Sequence, residues 1–251
     1  MKALLICDGC DLEKVAPICS TEGYGIEMQS FHDPKNLANP DGCQELHLDA
    51  IRNIPLRSMH GPLSDLVPGS FDPLVRKLAL KRFYQALAVG STLETSHMIF
   101  HHGYVPGTSS PKNWLKRSVA FWSAFLSNSP EKIQIHIENH LDRDPELLSD
   151  LVAAIGEPRF DICLDFGHAH CFSRLKPLKW IDRLGGQIGY VHLHNNYGEH
   201  DEHLGLDVGS IPMIDVCHAL EESAPGAVWA LEVDLRFLRK TLEWLKLKSL
   251  I

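Results

Sequence analysis

The chain has 251 residues, a hydrophobic fraction of 44% and a formal net charge of −8, with 24 lysines and arginines against 32 acids. No apolar run approaches the roughly 18 residues of a membrane span, and Asp8 cuts the apolar start Met1–Cys7 before a signal-peptide core can form. The acidic balance counts against a grip on nucleic acid, which calls for a basic face, and only Lys77, Lys81 and Arg82 cluster on one predicted helix.

The expectation is a soluble, cytoplasmic protein with no membrane contact and an open oligomeric state. Residues 1–251 form one domain in this reading, a length that α/β barrels commonly fill as a single unit. Seven cysteines are scattered, and the C-x-x-C of Cys7 and Cys10 has no second pair, so reduced, partly buried thiols are expected. Fifteen histidines are many for this length, and that excess points to a site.

In chain order, strand and helix alternate. Lys2–Cys7 is a β-like run followed by a helix over Asp11–Cys19. Gly25–Ser30 is the second strand, and Gln44–Asn53 a helix with apolar Leu46, Leu48 and Ile51. Leu56–His60 is the third strand, stopped by Gly61 and Pro62; the helix Asp72–Val89 opens with Asp72 as cap and Pro73 in its first turn. His97–Phe100 runs into His101, and a helix over Asn113–Leu126 follows. Lys132–Ile137 alternates and stops at Glu138; Asp144 and Pro145 start a helix that Gly156 closes after Ile155. Phe160–Leu164 ends at Asp165, and Leu178–Leu184 is a short helix. Gly189–Leu193, Ile211–Ser223, Val228–Leu231 ending at Glu232, and Leu235–Leu247 complete the set. Eight such alternations with short joints predict an α/β fold of the (β/α)8 barrel kind. An open doubly wound sheet is the alternative, but no G-x-G-x-x-G follows the first strand.

Barrel enzymes carry their chemistry at the C-terminal strand ends. Here those ends are His60, His101, Glu138, Asp165, His192 and Glu232, on six consecutive strands. A single polar strand end is ordinary as a hydrogen-bonded or capping residue. Six in register, buried without a cation, would set Glu138, Asp165 and Glu232 against one another at a heavy desolvation cost. The stretch His192–Asp207, HLHNNYGEHDEHLGLD, adds Asp201 and His203 on a loop, and His168 lies just past Asp165. Imidazoles and carboxylates converging in this way suit a divalent metal, zinc first and manganese as the alternative.

The segments IENH at Ile137–His140, LDFGHAH at Leu164–His170, VHLHN at Val191–Asn195, DEH at Asp201–His203 and LEV at Leu231–Val233 resemble the xylose isomerase-like barrel superfamily. That group holds sugar isomerases and epimerases together with the endonuclease IV family. The resemblance implies that Glu138, Asp165, His192 and Glu232 hold one metal, as in ketose epimerases, with Glu138 and Glu232 also exchanging protons with substrate and His168 contacting it. It equally implies a second pattern, that of a three-zinc endonuclease: His60, His101 and Glu138; then Glu138, Asp165, His192 and Glu232; then His168, Asp201 and His203. His194 and His102 fall outside both sets and are read as facing substrate or supporting a ligand. Asn195 stands where the endonuclease pattern has an aspartate, and the loop Gly61–Asp72 shows no aromatic at the position relatives use against DNA.

The reading that follows is a divalent-metal-dependent isomerase or epimerase of a small sugar or sugar phosphate, acting through a metal-stabilised enediolate with one to three ions. The alternative is an endonuclease IV-like zinc-dependent phosphodiester hydrolase. A barrel with purely structural metal is the weakest reading, because structural zinc sites are closed by four ligands and these loops are open.

Overall fold

Eight short runs, each alternating between two burial environments, set the architecture. The computed structural model describes residues 3–63 and 65–251. In it β1 (Leu4–Cys7), β2 (Gly25–Met28), β3 (Arg57–His60), β4 (His97–His101), β5 (Gln134–Glu138), β6 (Phe160–Asp165), β7 (Ile188–Leu193) and β8 (Val228–Leu231) form a closed barrel in sequence order. Every pairing is parallel, and β1 closes the ring on β8 through Leu4↔Trp229 and Ile6↔Leu231. The helices between them are α1 (Leu12–Glu22), α2 (Pro34–Ala38), α3 (Asp41–Ala50), α4 (Pro73–Thr92), α5 (Pro111–Leu126), α6 (Glu146–Ile155), α7 (Phe166–Phe172), α8 (Pro177–Leu184), α9 (Met213–Ser223) and α10 (Leu235–Leu247). No helix among the described residues is long and apolar enough to cross a membrane.

The barrel expectation holds, and most element ends fall within a few residues of the pattern. Lys2, placed in the first strand by sequence, lies outside the described residues. The first helix runs past Cys19 to Glu22 and ends on Gly23 in the left-handed region, at φ 79°. The second strand stops at Met28, because Ser30–His32 turn into a 3-10 helix. Neither α2 nor α7 is expected from the sequence: each is shorter than two full turns, too short for hydrophobic spacing to register. Helix α7 starts where it does because the Asp165 carboxylate accepts the His168 N–H at 2.6 Å.

Side-chain parity explains what the barrel holds. On β1, Leu4 and Ile6 join the large core under the helices, while Leu5 and Cys7 join a small interior cluster with Ile99, Cys163, Tyr190, Val228 and Ala230. Following the register from Cys7 around the ring puts Glu27, Ser58, His60, His97, His101, His136, Glu138, Asp161, Asp165 and His192 on the same interior face. The interior is therefore far more polar than a barrel filled with branched aliphatics. Near the strand starts, His97 bonds His136 at 2.9 Å and His136 bonds Asp161. Burial, and then the neighbouring His136, push His97 down to about 3, so it stays neutral there. All seven cysteines are free, Cys7 buried and Cys10 exposed.

Candidate metal centre

Glu138 is the hub of the C-terminal mouth. It ends β5, beside His101 in the ladder, and is 1% exposed. Its Oε2 lies 2.8 Å from His60 Nε2 and 3.4 Å from His101 Nε2. Its Oε1 lies 3.2 Å from His192 Nδ1 and 3.3 Å from His168 Nδ1. Burial alone would raise this carboxyl, but His101 and His192 hold it well below the usual carboxylate range.

The remaining ligand candidates converge on His192. Its Nδ1 is 3.5 Å from Glu232 Oε2 and 3.8 Å from Asp165 Oδ2, so Glu138, Asp165, His192 and Glu232 place one donor atom each within 4.8 Å of one another. His60, His101 and Glu138 form a second group of that size on one flank. A third, on the other flank, is His194, Asp201 and His203. Here the geometry differs from the implied ligand set, which had His168 in the third group. His168 Nε2 does reach Asp201 Oδ2 at 3.2 Å, while its Nδ1 turns toward Glu138; His194 stacks flat on His203 with ring centroids 4.2 Å apart. His168 thus sits between the quartet and the third group.

Tautomers test whether this donor set fits a cation. A backbone carbonyl can only accept, so each ring nitrogen bonded to one carries a proton. His60 Nδ1 donates to Gly61 O at 2.9 Å, His168 Nδ1 to Asn139 O at 2.9 Å and His203 Nδ1 to Glu232 O at 2.7 Å. In the neutral ring each then points a bare Nε2 lone pair at a carboxylate oxygen: Glu138 for His60, Asp201 for His168 and His203. Two lone pairs at 2.8–3.2 Å repel unless the imidazole gains a second proton or a cation lies between them. Without a cation the first solution operates. Against the cost of burial, Asp201 and Glu232 lift His203 to about 10, and Asp165 and Asp201 raise His168 well above the ordinary histidine value. Asp165 is held near 2 by His168 and His194 despite full burial. The buried Asp201 Oδ1 has no hydrogen-bond partner among the described residues. Borderline nitrogen and oxygen donors, with the His60, His168 and His203 rings each oriented by the other nitrogen, are the donor chemistry of zinc or manganese.

Loop geometry holds the third group in place. Asn195 Oδ1 accepts from the N–H of Asn196 and Ile211, and its Nδ2 donates to Leu206 O and Ile211 O. An aspartate could not make the last two bonds, which is why an amide stands at this position. The antiparallel bridge Asn195↔Leu204 then folds Asp201 and His203 back over the mouth. His203 takes a left-handed backbone, φ 48°, secured by Asp234 N–H on its carbonyl at 2.8 Å. Close approach makes Gly167 necessary: a Cβ there would lie 1.9 Å from His194 Cε1. Gly167→Ala is expected to displace the His194 ring and weaken metal binding at the third group by about tenfold or more, on the scale of lost ligand support. Zinc titration against a chelating dye checks this; wild-type affinity in the variant would show that His194 takes no part.

The other sequence candidates are placed as follows. His102, read as facing substrate, is fully buried: Nε2 bonds Asp142 at 2.8 Å and the ring lies against Trp114. It follows His101 directly, so alternation turns it away from the mouth. His194 is likewise sealed from solvent, with Nε2 3.0 Å from Asp165 Oδ2. Three participants carried no signal of their own in the sequence reading. His140 packs its ring 4.7 Å from His101 and 4.9 Å from His168, and burial lowers it to about 4, leaving a neutral wall. Gln29 donates to Glu232 Oε1 at 2.6 Å. Glu27 meets the far nitrogen of His192.

Beside Glu232 opens a cavity of about 420 Å³, lined by Cys7, Gln29, His32, His203, Glu232 and Asp234 among others. No lysine or arginine occurs among its described lining residues. The Glu232 side chain is 15% exposed, so of the two glutamates it is the one that meets this space.

Known proteins share both the sequence pattern and the barrel. An uncharacterised protein of Methanocaldococcus jannaschii, MJ1311, is 31% identical over 203 residues, 75% of this chain and 68% of its own length. A solved structure described as a D-tagatose 3-epimerase-like protein is 27% identical with a TM-score of 0.80, covering 99% of this chain and 97% of that one. A Thermus thermophilus protein, TTHB071, whose crystals were soaked with zinc chloride, superposes with a TM-score of 0.78 at 24% identity, covering 98% of each chain. Residues 23–248 match the family described as xylose isomerase-like TIM barrel, and the chain belongs to that family.

Proposed function

We propose that this protein is a divalent-metal-dependent epimerase or isomerase of a small, unphosphorylated sugar, with the metal on Glu138, Asp165, His192 and Glu232. One observation carries the reading: the two glutamates flank His192 Nδ1 at 3.2 and 3.5 Å, and only Glu232 borders the cavity. A cation held there supplies the positive charge that acidifies a carbon-bound proton between carbonyl and hydroxyl and offsets the charge left on their oxygens. Glu232 accepts that proton on the open side, with Oε1 fixed by Gln29 and Oε2 turned toward His192. Glu138 works from the closed side, as ligand and as proton partner on the opposite face. The cavity's acidic lining disfavours a phosphate, which supports a free sugar over a sugar phosphate. The similarity to a D-tagatose 3-epimerase-like structure supports the same class.

A second reading, metal-dependent phosphodiester hydrolysis, is favoured by the two flanking groups, which share Glu138 or adjoin Asp165 and exceed what proton transfer requires. Phe71, on the loop after β3, is 84% exposed and adds an aromatic surface there. One preparation separates the two. Metal-loaded protein is incubated with a panel of ketoses, aldoses, their phosphates and an abasic-site duplex, alongside elemental analysis. Turnover of a free ketose, retained within about tenfold in an Asp201→Asn/His203→Asn variant because those side chains bind outside the quartet, is expected. Duplex cleavage with about three zinc ions per chain, lost in that variant, would replace the first reading with the second.

A further inference from the structure

Glu27 is a fully buried carboxylate in the middle of a four-residue strand, and none of the chemistry above uses it. It lies on β2, across the barrel from β7. Both its oxygens face His192 Nε2, at 3.1 and 3.0 Å. The Tyr190 hydroxyl donates to Glu27 Oε2 at 2.7 Å, and Ser58 Oγ lies 2.9 Å from that hydroxyl. Tyr190, Ser58 and His192 are each 0% exposed, so the row Ser58, Tyr190, Glu27, His192 is a closed polar chain through the barrel interior. It ends at the one histidine of the quartet.

We propose that Glu27 is the positioning residue of the metal centre: it holds the proton on His192 Nε2, and so presents Nδ1 as a lone pair to the cation, with Tyr190 fixing Glu27 in turn. The proposal rests on the quartet proposed above. Its logic is that of His60, His168 and His203, whose second nitrogen is tied to a backbone carbonyl, except that here a carboxylate takes the carbonyl's place. The ionised acceptor does more than orient the ring. Its charge makes the imidazole a stronger donor to the metal. A purely space-filling role would not need two oxygens on one N–H and a tyrosine hydroxyl committed to the same group. Nor would it need a charge buried in the barrel.

Glu27 could instead be a ligand itself, since Cys7, Glu27 and His192 also bring donor atoms within 4.8 Å. That arrangement would consume His192 Nε2 and would need the buried Cys7 thiolate. The experiment separates the two. Zinc and cobalt(II) affinities are measured by chelator competition, with the cobalt visible spectrum as a report on the ligand field, for wild type, Glu27→Gln, Tyr190→Phe, Cys7→Ser and His192→Asn. Glu27→Gln is expected to weaken binding about ten- to a hundredfold with unchanged stoichiometry and a shifted cobalt band. Tyr190→Phe, which leaves both the ligand and its carboxylate in place, is expected to weaken it about fivefold, as for one lost hydrogen bond. Cys7→Ser is expected to match wild type. Because Tyr190→Phe removes a single hydroxyl, it keeps the test valid should Glu27→Gln fail to fold. Loss in His192→Asn alongside wild-type affinity in Glu27→Gln, or in Tyr190→Phe if that is the variant that folds, would overturn this proposal and leave the quartet standing. Wild-type affinity in His192→Asn would overturn both. A lost metal equivalent in Cys7→Ser would make Glu27 a ligand and overturn the positioning role.

Discussion

Glu138→Ala is expected to lose bound metal more completely than any other single substitution in this chain. Both carboxylate oxygens are engaged, one toward His60 and His101, the other toward His192 and His168, so the change takes a donor from more than one group at once. Loss of a supporting residue costs roughly ten- to a hundredfold in metal affinity, and loss of a shared ligand should exceed about a hundredfold. Chelator competition measures it; affinity within about tenfold of wild type would remove Glu138 from the centre. The metal-free proteins should differ as well, in a pH-dependent way. Glu138 is held below its ordinary 4.5, so its contribution to stability is complete above that value and lost as pH falls through the lowered one. His192 and His168 are raised above 6.5, so theirs is complete below 6.5 and fades as pH climbs through the raised values. The metal-free wild type should therefore exceed Glu138→Ala most between about pH 4.5 and 6.5, by about 3 kcal/mol if the buried pairs behave as broken ones usually do. At higher pH the histidines of the variant shed their protons and the gap narrows.

The parts of this site that can be read in the sequence are those that end strands. His60, His101, Glu138, Asp165 and His192 are the last or next-to-last residues of β3 to β7, each a polar group directly after an apolar residue where the strand runs out, and Glu232 directly follows β8. The break in pattern marks them. Glu27 has no such break around it, because β2 is four residues long and reads Gly-Ile-Glu-Met, and a single polar residue on a short strand usually faces water. Only the barrel's closure turns that parity inward, and closure is a property of all eight strands together. The register that sets Glu27 beside Cys7 and Ser58, and so puts a carboxylate inside, comes from that closure. The histidine excess is also less uniform than its count suggests. His60, His101, His168, His192, His194 and His203 meet at the mouth, whereas His97 and His136 lie near the strand starts and His102 and His47 pack behind the sheet on Asp142 and Phe31. Residue type alone cannot separate these groups, since a histidine in a core and a histidine on a metal both need a partner for each nitrogen.

Glu232→Gln is expected to lower kcat for the sugar substrate about a hundred- to ten-thousandfold, the range for loss of a positioned proton acceptor, with KM changed far less. The substitution is close to isosteric. A glutamine whose carbonyl oxygen still accepts the Gln29 amide turns its NH2 to the place of Oε2, so the shape is kept while the basicity and one quartet donor are removed. Metal affinity should fall by less than in Glu138→Ala, because Glu232 serves one donor group and Glu138 serves three. The two variants therefore separate by different readouts: Glu138→Ala fails by losing metal, and Glu232→Gln fails with metal bound. Steady-state kinetics at saturating zinc or manganese, with metal content measured on the same samples, make the comparison. A kcat within about tenfold of wild type would take proton transfer away from Glu232 and leave it a ligand only. The open side of the centre would then need another acceptor. His203 borders the same cavity, but its Nδ1 is committed to the Glu232 carbonyl and its Nε2 to Asp201, so it has no free nitrogen to offer. Glu232 is the group at that wall with both a route to the cavity and an oxygen turned toward His192.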